Sequence, residues 1–296
     1  MLFKSKIIVF ASGNLGLKML EYLKQISEIK FIATDSNSAG IIEFAAKNGI
    51  DNFIGKPNKT ELLIKLQSKK SNILLSINYL FLLEKKVFQL FEYPINFHGS
   101  LLPKYRGRTP HVWALINNEI ETGISAHFIE EGCDEGDIVY QERIKIENHY
   151  TGADLLNVFQ IEYPKAILKV LENISYGSIV RTPQDNTLAS YFPKRVPEDG
   201  ILDWNWQKER LFNWVRALSL PYPGAFSYYN NEKIIIDEIK YSPIGFDFSI
   251  KNGTIISLSE NNYPIVKVQN GAIEIIKIRY SPSSPFLINN LFDNGN

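Results

Sequence analysis

The first 130 residues are organised as short apolar runs that alternate with amphipathic stretches. Residues 7–11, 31–34, 73–76 and 94–97 are apolar runs of strand length, whereas residues 14–26 repeat their apolar side chains at helical spacing. Strands that alternate with helices pair mainly in parallel, so the pattern predicts an α/β fold whose sheet is covered by helices on both faces. Further helices are predicted over residues 39–48, 61–68, 83–91 and 152–173.

The pattern changes after residue 200. One helix is predicted over residues 207–218, and segments rich in Ile, Val and Tyr then follow at the spacing of a small barrel or sandwich. The Ser-, Asn- and Pro-rich tail, residues 281–296, is expected to be loosely ordered. We therefore predict two domains, residues 1–200 and residues 201–296.

The charge balance excludes several classes of partner. The 296 residues contain 32 basic and 32 acidic side chains, and residues 201–296 contain nine of each. A domain that holds a polyphosphate backbone needs a basic excess, and neither domain has one. The only cysteine, Cys133, excludes an intrachain disulfide and a multi-cysteine metal site. No apolar run reaches the roughly 18–20 residues of a membrane span, and no secretory signal is apparent, so we expect a cytoplasmic protein with no membrane partner.

The most informative segment is INFHGSLLP, residues 95–103. Asn96 and His98 are two residues apart on a predicted strand, so their side chains share one face at its carboxyl end, where open α/β sheets bind ligands. An amide donor beside an imidazole suits a reaction that builds negative charge on a carbonyl oxygen while a proton moves. The alternative interpretation is an Asn that caps the strand end and a histidine buried in the core.

A basic loop follows this segment directly. Lys104, Arg106 and Arg108 surround a glycine and are predicted to clamp an anionic substrate, since arginine binds oxyanions through two parallel hydrogen bonds. The alternative is a solvated surface loop. Farther along, Pro221-Tyr222-Pro223 marks a rigid turn in which Tyr222 either stacks on a ring or lines the entry to the second domain.

An acidic loop, residues 131–137, carries glycines on both sides of Cys133-Asp134-Glu135. Such a loop can drive Asp134 into a site, where its carboxylate would orient His98; the alternative is an acidic turn. Cys133 is a weak candidate nucleophile, because no histidine lies near it in sequence. His127 lies on the strand that leads into this loop and is a candidate inward-pointing group. The four histidines show no metal-ligand spacing, so no metal is expected.

Together these segments resemble the folate-dependent formyltransferase family. The resemblance is carried by NFHGSLLPKYRGRTP and ETGISAHFIEEGCDEGDIVYQ, and PEDGILDW with VRAL…PYPGAFSY extends it to the longer members. It implies a Rossmann-like catalytic domain followed by a smaller OB-like β-barrel domain. It also implies that Asn96, His98 and Asp134 are the catalytic residues.

The same resemblance implies N10-formyltetrahydrofolate as co-substrate. The residues it assigns to the folate are Tyr79, Leu80, Phe81, Leu82, Leu83 and Asp137. The residues assigned to the second substrate are Ser100, Lys104, Arg106, Arg108 and Tyr222.

Two branches of the family fit this length, the sugar N-formyltransferases and methionyl-tRNA formyltransferase. The tRNA enzymes carry a basic insertion after the second strand, whereas residues 35–40 here are short and contain no base. We therefore predict formylation of a dTDP- or UDP-linked amino-deoxy sugar, a 4-amino-4,6-dideoxyhexose for surface glycan synthesis, with a 3-amino sugar left open. The alternatives are methionyl-tRNA formylation, hydrolysis of the folate, and a sensor without turnover. The resemblance further implies a homodimer, and the base-free connection together with the neutral C-terminal domain predicts that the protein does not bind tRNA.

Overall fold

The computed structural model describes residues 5–280 and 282–293. The chain forms two compact units, each assembled from separate stretches of sequence. The first unit runs to Pro110 and is completed by Thr122–Lys145 and Asn157–Pro193. The second unit combines two short stretches, His111–Glu121 and Ile146–Leu156, with the chain from Lys194 onward.

The strands of the first unit belong to one large sheet and one short pair. In chain order they are β1 (Lys6–Ala11), β2 (Glu28–Thr34), β3 (Asn52–Ile54), β4 (Ile73–Ile77), β5 (Tyr93–His98), β6 (Arg106–Gly107), β7 (Glu121–Phe128), β8 (Ile138–Lys145) and β9 (Tyr191–Phe192). The large sheet has the order β3-β2-β1-β4-β5-β7-β8, and β6 pairs with β9. Pairings from β3 through β5 are parallel, and β7 runs antiparallel to β5. The predicted α/β fold with a mainly parallel sheet is confirmed.

Helices cover this sheet because their apolar residues fall on one face. The helices of the first unit are α1 (Gly13–Ile26), α2 (Ala39–Lys47), α3 (Thr60–Gln67), α4 (Lys85–Phe88) and the part of α6 (Gly152–Ser175) from Asn157 onward. Helix α5 (Pro110–Ile116), from His111 onward, and the start of α6 belong to the second unit. In α1, Leu15, Met19, Leu20 and Leu23 are buried, as the helical spacing predicts. None of the helices within the described residues is long and apolar enough to cross a membrane.

The predicted helix over residues 83–91 is wrong in extent. The structure has only α4 there, because the amides of Leu90 and Phe91 bond to carbonyls three residues back and tighten the last turn. Leu83 and Phe91 instead turn into the apolar core beneath the sheet. The sequence analysis also did not predict β3, β6, α5 and β9.

The second unit contains an antiparallel sheet. Its elements after Lys194 are α7 (Lys208–Leu218), β10 (Ala225–Tyr229), β11 (Glu232–Ser242), β12 (Ile255–Leu258), β13 (Pro264–Val268) and β14 (Gly271–Ile278). The sheet order is β10-β11-β14-β13-β12, with antiparallel neighbours throughout. These strands coincide with the β-rich segments predicted from composition, so the β character of this region is confirmed.

The expectation of a loosely ordered tail is wrong for residues 282–293; the remainder of that segment lies outside the described residues. Asp293 forms a bridge with Tyr228 at one edge of the sheet, and Leu291 forms one with Thr254 beside the other edge. Phe292 is 2% exposed and packs on Trp204, with ring centroids 5.2 Å apart. The tail is held because it buries aromatic surface and links both edges of the sheet, as closure of a small barrel requires.

Candidate functional site

The site is built where β5 ends beside its antiparallel partner β7. Asn96 and His98 share one face of β5, and cross-strand register places Asn96 opposite His127 and His98 opposite Ser125. His98 is the last residue of β5, and it is 6% exposed. The pleat of two neighbouring strands thus presents an amide and two imidazoles on one side of the sheet.

The ring of His98 is fixed by a backbone carbonyl. Its Nε2 lies 2.7 Å from the carbonyl oxygen of Tyr105. Since a carbonyl oxygen can only accept, Nε2 carries the proton and donates it. The other ring nitrogen, Nδ1, faces Oδ2 of Asp134 at 3.5 Å. In the neutral ring this Nδ1 holds a lone pair, so it can accept a proton beside a carboxylate.

Asp134 enters the site from the acidic loop with a left-handed backbone, φ 58°. Its Oδ2 accepts the Gly107 amide proton at 2.9 Å. Burial alone would raise the pKa of this carboxyl, but the adjacent His98 and His127, together with the Gly107 amide, outweigh burial and hold the pKa well below its usual range. Asp134 is therefore an ionised carboxylate at neutral pH.

The neighbouring thiol is not ionised. Burial and the adjacent Asp134 carboxylate raise the pKa of Cys133 to about 12. Its Sγ donates to Asp134 Oδ2 at 3.4 Å. A thiol that stays protonated at neutral pH is a poor nucleophile, so the geometry favours a role for Cys133 as a donor in the loop.

Arg106 is a buried support rather than an open clamp. It is 1% exposed, and its guanidinium donates to Gln184 Oε1 at 2.8 and 3.2 Å, to Asn186 Oδ1 at 2.7 Å and to the Tyr191 hydroxyl at 2.5 Å. Gln184 in turn donates to the carbonyl oxygens of Asp134 and Gly136, each at 2.8 Å. The side chain that sequence analysis assigned to the substrate thus braces the loop that carries Asp134.

We expect Arg106→Lys to lower stability by about 2–4 kcal/mol, because an ammonium at this buried position cannot reproduce the fixed guanidinium donors to Gln184, Asn186 and Tyr191. The measurement is the denaturant midpoint without any substrate. Lys104→Ala, at an exposed side chain in the same loop, is the matched control and should leave the midpoint unchanged. An unchanged midpoint for Arg106→Lys with a raised KM for the second substrate would instead support the substrate clamp.

Gln184 lies in the segment that connects α6 to β9. It returns to the first unit, where β9 pairs in parallel with β6 and the amide of Tyr105 donates to the Ser190 hydroxyl at 2.9 Å. No local pattern marks Gln184, because an isolated glutamine between helices has no diagnostic spacing. The contributions of the Tyr105 carbonyl and the Gly107 amide were also missed, since backbone groups leave no trace in residue type.

The segment assigned to folate alternates between core and surface. Tyr79 and Leu83 pack into the core, whereas Leu82 is 67% exposed and Leu80 is 37% exposed. Tyr79 and Phe81 meet edge to face with centroids 5.5 Å apart. The segment therefore presents apolar surface suited to a flat aromatic ring.

The other predicted residues are dispersed. Ser100 is buried and donates to the Lys104 carbonyl at 2.7 Å. Arg108 donates to the Leu80 carbonyl, which joins the basic loop to the folate segment. Asp137 accepts from Arg181 at 2.9 Å. Tyr222 lies in the second unit, where its hydroxyl contacts His111 at 2.5 Å.

Among the residues that the structure describes, no group of three or more His, Cys, Asp or Glu side chains is arranged to hold a metal ion. The arrangement of Asn96, His98 and Asp134 supplies a hydrogen-bond donor, a proton acceptor and a fixed negative charge. This set can stabilise an oxyanion and move a proton.

Comparison with known proteins tests the family resemblance that the sequence motifs carry. A family model described as formyl transferase matches residues 6–171, and its C-terminal domain model matches residues 194–293. The chain is 34% identical over 289 residues to the bifunctional polymyxin resistance protein ArnA of Wigglesworthia glossinidia brevipalpis, covering 93% of this chain and 43% of that protein. It thus spans less than half the length of that relative.

Two solved structures share the fold. An N-formyltransferase from Helicobacter canadensis, in complex with folinic acid and dTDP-3-aminofucose, is 20% identical with a TM-score of 0.71, covering 93% of this chain and 99% of that one. A methionyl-tRNA formyltransferase from Clostridium thermocellum is 19% identical with a TM-score of 0.57, covering 92% and 99%. The family models match most of the chain and confirm the resemblance carried by the motifs: this chain belongs to the formyl transferase family.

Proposed function

We propose that the chain transfers the formyl group of N10-formyltetrahydrofolate to the amine of a dTDP- or UDP-linked amino-deoxy sugar. The observation that carries the proposal is the convergence of Asn96, His98 and the ionised Asp134 at the end of β5. We also propose that residues 1–200 bind folate and substrate, and that the protein is a cytoplasmic homodimer.

Asn96 would stabilise the charge that develops on the formyl oxygen. Its Nδ2 lies 3.0 Å from His127 Nε2 and 3.3 Å from Asp134 Oδ1. The contact to Asp134 is at the long end of the hydrogen-bond range, so the N–H that makes it can be redirected to an oxyanion at small cost. Removal of one such donor commonly costs about 10²–10³-fold in kcat.

His98 would take the proton that the attacking amine must lose. The amine nitrogen forms a bond to the formyl carbon, the bond from that carbon to N10 of the folate breaks, and N10 gains a proton. His98 Nδ1 is positioned to accept the amine proton and return it to N10, because Nε2 is engaged with Tyr105. The imidazolium formed in between faces Asp134, whose negative charge stabilises it. No covalent enzyme intermediate is needed.

Tyr79, Leu80, Phe81 and Leu82 are the residues that would hold the pterin ring, since they offer apolar surface to a flat aromatic group. The folate supplies an activated formyl group. On this proposal, Arg108 couples the folate segment to the basic loop through the Leu80 carbonyl.

Charge supports a nucleotide sugar over tRNA. The connection between β2 and α2 consists of residues 35–38 and contains no base. Its Asp35 is 4% exposed and accepts from the Ser38 hydroxyl at 2.6 Å. A tRNA requires several cationic contacts to phosphate, whereas a diphosphate can be held by few. Lys104 and Arg108 remain available for that purpose, so we propose that tRNA is not a partner.

We expect one nucleotide-linked amino sugar to gain a single CO when the protein is given N10-formyltetrahydrofolate, with no formylation of methionyl-tRNA. The measurement is mass spectrometry on a panel of dTDP- and UDP-linked 3-amino and 4-amino sugars plus methionyl-tRNA. Formylation of the tRNA alone would overturn the sugar assignment. Release of formate without an acceptor would identify a hydrolase.

A further inference from the structure

We propose that His127 is a positioning residue that sets the direction of the Asn96 side-chain amide. This inference deepens the proposed function at the same site and rests on the role proposed for Asn96. His127 lies directly opposite Asn96 across the β5–β7 pair, and it is 2% exposed. Its Nε2 is 3.0 Å from Asn96 Nδ2.

The tautomer of His127 follows from its other contact. Its Nδ1 lies 2.7 Å from the carbonyl oxygen of Phe128, which can only accept, so Nδ1 carries the proton. In the neutral ring Nε2 is then an acceptor. Asp134 Oδ1 also lies 3.4 Å from this Nε2, but an ionised carboxylate has no proton to donate, so the donor that faces Nε2 is the amide nitrogen of Asn96 at 3.0 Å.

This acceptor decides which way the Asn96 amide points. With Nδ2 toward His127 and Asp134, the amide offers N–H groups to two acceptors, at 3.0 and 3.3 Å. Rotation of the amide by 180° would place its oxygen against the Asp134 carboxylate and the lone pair of His127. Both of these groups repel an oxygen acceptor, so they oppose the rotation. The shorter bond to His127 holds one N–H, and the other remains the one available for an oxyanion.

The two histidines beside Asp134 therefore have different tasks. His98 donates through Nε2 and presents Nδ1 to the carboxylate, whereas His127 donates through Nδ1 and presents Nε2 to the amide. His98 is placed to exchange a proton with substrate. His127 acts through Asn96, because its ring is closed in by its own strand on one side and by Asn96 and Asp134 on the other.

The test compares His127→Phe, which keeps a flat ring but removes the acceptor, with His127→Gln, which can restore one through its amide oxygen. We expect His127→Phe to lower kcat by about 10–100-fold, since small misplacement of a catalytic group has effects of that order. KM for both substrates should change less than about threefold, because the interaction matters in the transition state. His127→Gln should recover most of kcat.

A double-mutant cycle separates positioning from general support. In an Asn96→Ala background, His127→Phe should lower kcat by less than about twofold, because its effect acts through the amide that this background lacks. The proposal would be overturned if the effects of His127→Phe and Asn96→Ala on kcat were fully additive. It would also be overturned if kcat of His127→Gln were no higher than that of His127→Phe.

A second readout does not depend on activity, so it distinguishes failure of this inference from failure of the proposed function. In ¹⁵N NMR of the wild-type protein, His127 should show a protonated Nδ1 and an unprotonated Nε2. The side-chain amide pair of Asn96, assigned by its loss in Asn96→Ala, should shift in His127→Phe and return toward its wild-type position in His127→Gln. The opposite tautomer, or an Asn96 amide pair that does not respond to His127→Phe, would refute the positioning role. This would hold even if the protein formylates a substrate other than the proposed amino sugar.

Discussion

Replacement of His98 by alanine is expected to lower kcat by about 10²–10⁴-fold, the usual contribution of a positioned proton acceptor. The proton of the attacking amine would then have to leave to water, without the Nδ1 acceptor whose protonated form the Asp134 charge stabilises. The substitution removes one hydrogen bond to the Tyr105 carbonyl, so the variant should remain folded with a stability loss of about 1–3 kcal/mol. The measurement is steady-state turnover with the acceptor identified by the substrate panel.

His149→Ala is the matched control, because His149 is an exposed histidine of the second unit. It should retain wild-type turnover. Turnover of His98→Ala close to wild type, in a folded protein, would remove His98 from the mechanism. Loss of activity with loss of the near-UV circular dichroism signal would show a folding defect, and His98→Gln would then be used to restore a polar side chain of similar length.

Asp134→Asn is expected to lower kcat by roughly 10²–10⁴-fold, because the neutral amide cannot stabilise the imidazolium of His98. The substitution keeps the shape of the side chain, so the acidic loop should stay in place through Gln184. Turnover is the first measurement, and Asp51→Asn, at an exposed carboxylate far from the site along the chain, serves as the control. Retained activity in Asp134→Asn would contradict the charge argument.

The same variant tests the low pKa of Asp134 through stability. A carboxyl whose pKa is lowered on folding binds fewer protons in the folded state than in the unfolded chain, where the pKa is about 3.9. Its stabilising contribution is fully present above the unfolded value and is lost as the pH falls through the folded one. The free energy of unfolding of wild type relative to Asp134→Asn should therefore stay constant from about pH 7 to about pH 5 and shrink as the pH is lowered further, from about 5 to about 3. A difference that grows with acidification would refute the assigned direction.

The sequence was sufficient for the parts of the fold that repeat a local pattern. The apolar spacing of α1 and the buried runs of β1 and β4 identify a parallel sheet, because these elements owe their form to their own residues. Elements that depend on distant partners were not predictable. The pair β6 and β9 consists of two residues each, separated by more than eighty positions, and neither has strand composition on its own. The tail is similar, since Phe292 is ordered by Trp204 and Tyr229 rather than by its neighbours.

The candidate site also contains some features that the sequence could predict and others that it could not. Asn96, His98 and Asp134 could be named as candidates because the motifs that contain them resemble those of a known family, and the structure brings the three side chains together; their catalytic roles remain proposals. The environment of Arg106 could not be read, because a charge run is normally solvated and burial of this one depends on Gln184, Asn186 and Tyr191 far along the chain. The opposite tautomers of His98 and His127 depend on backbone carbonyls, which no residue pattern encodes.

Arg106 and Gln184 contact residues that are far apart in sequence, so these contacts can form only late in the synthesis of the chain. Gln184 follows Asp134 by 50 residues. At ribosomal rates of about 5–20 residues per second, roughly 3–10 s separate their synthesis. During that interval the nascent chain already contains Asn96, His98, Gly107 and Asp134, but it lacks the Gln184 side chain that bonds to the carbonyls of the acidic loop. The Arg106 guanidinium likewise has no bond to Gln184, Asn186 or Tyr191 until these residues have been synthesised. The catalytic motif is thus present early, and its geometry is completed only when residues 184–191 emerge from the ribosome.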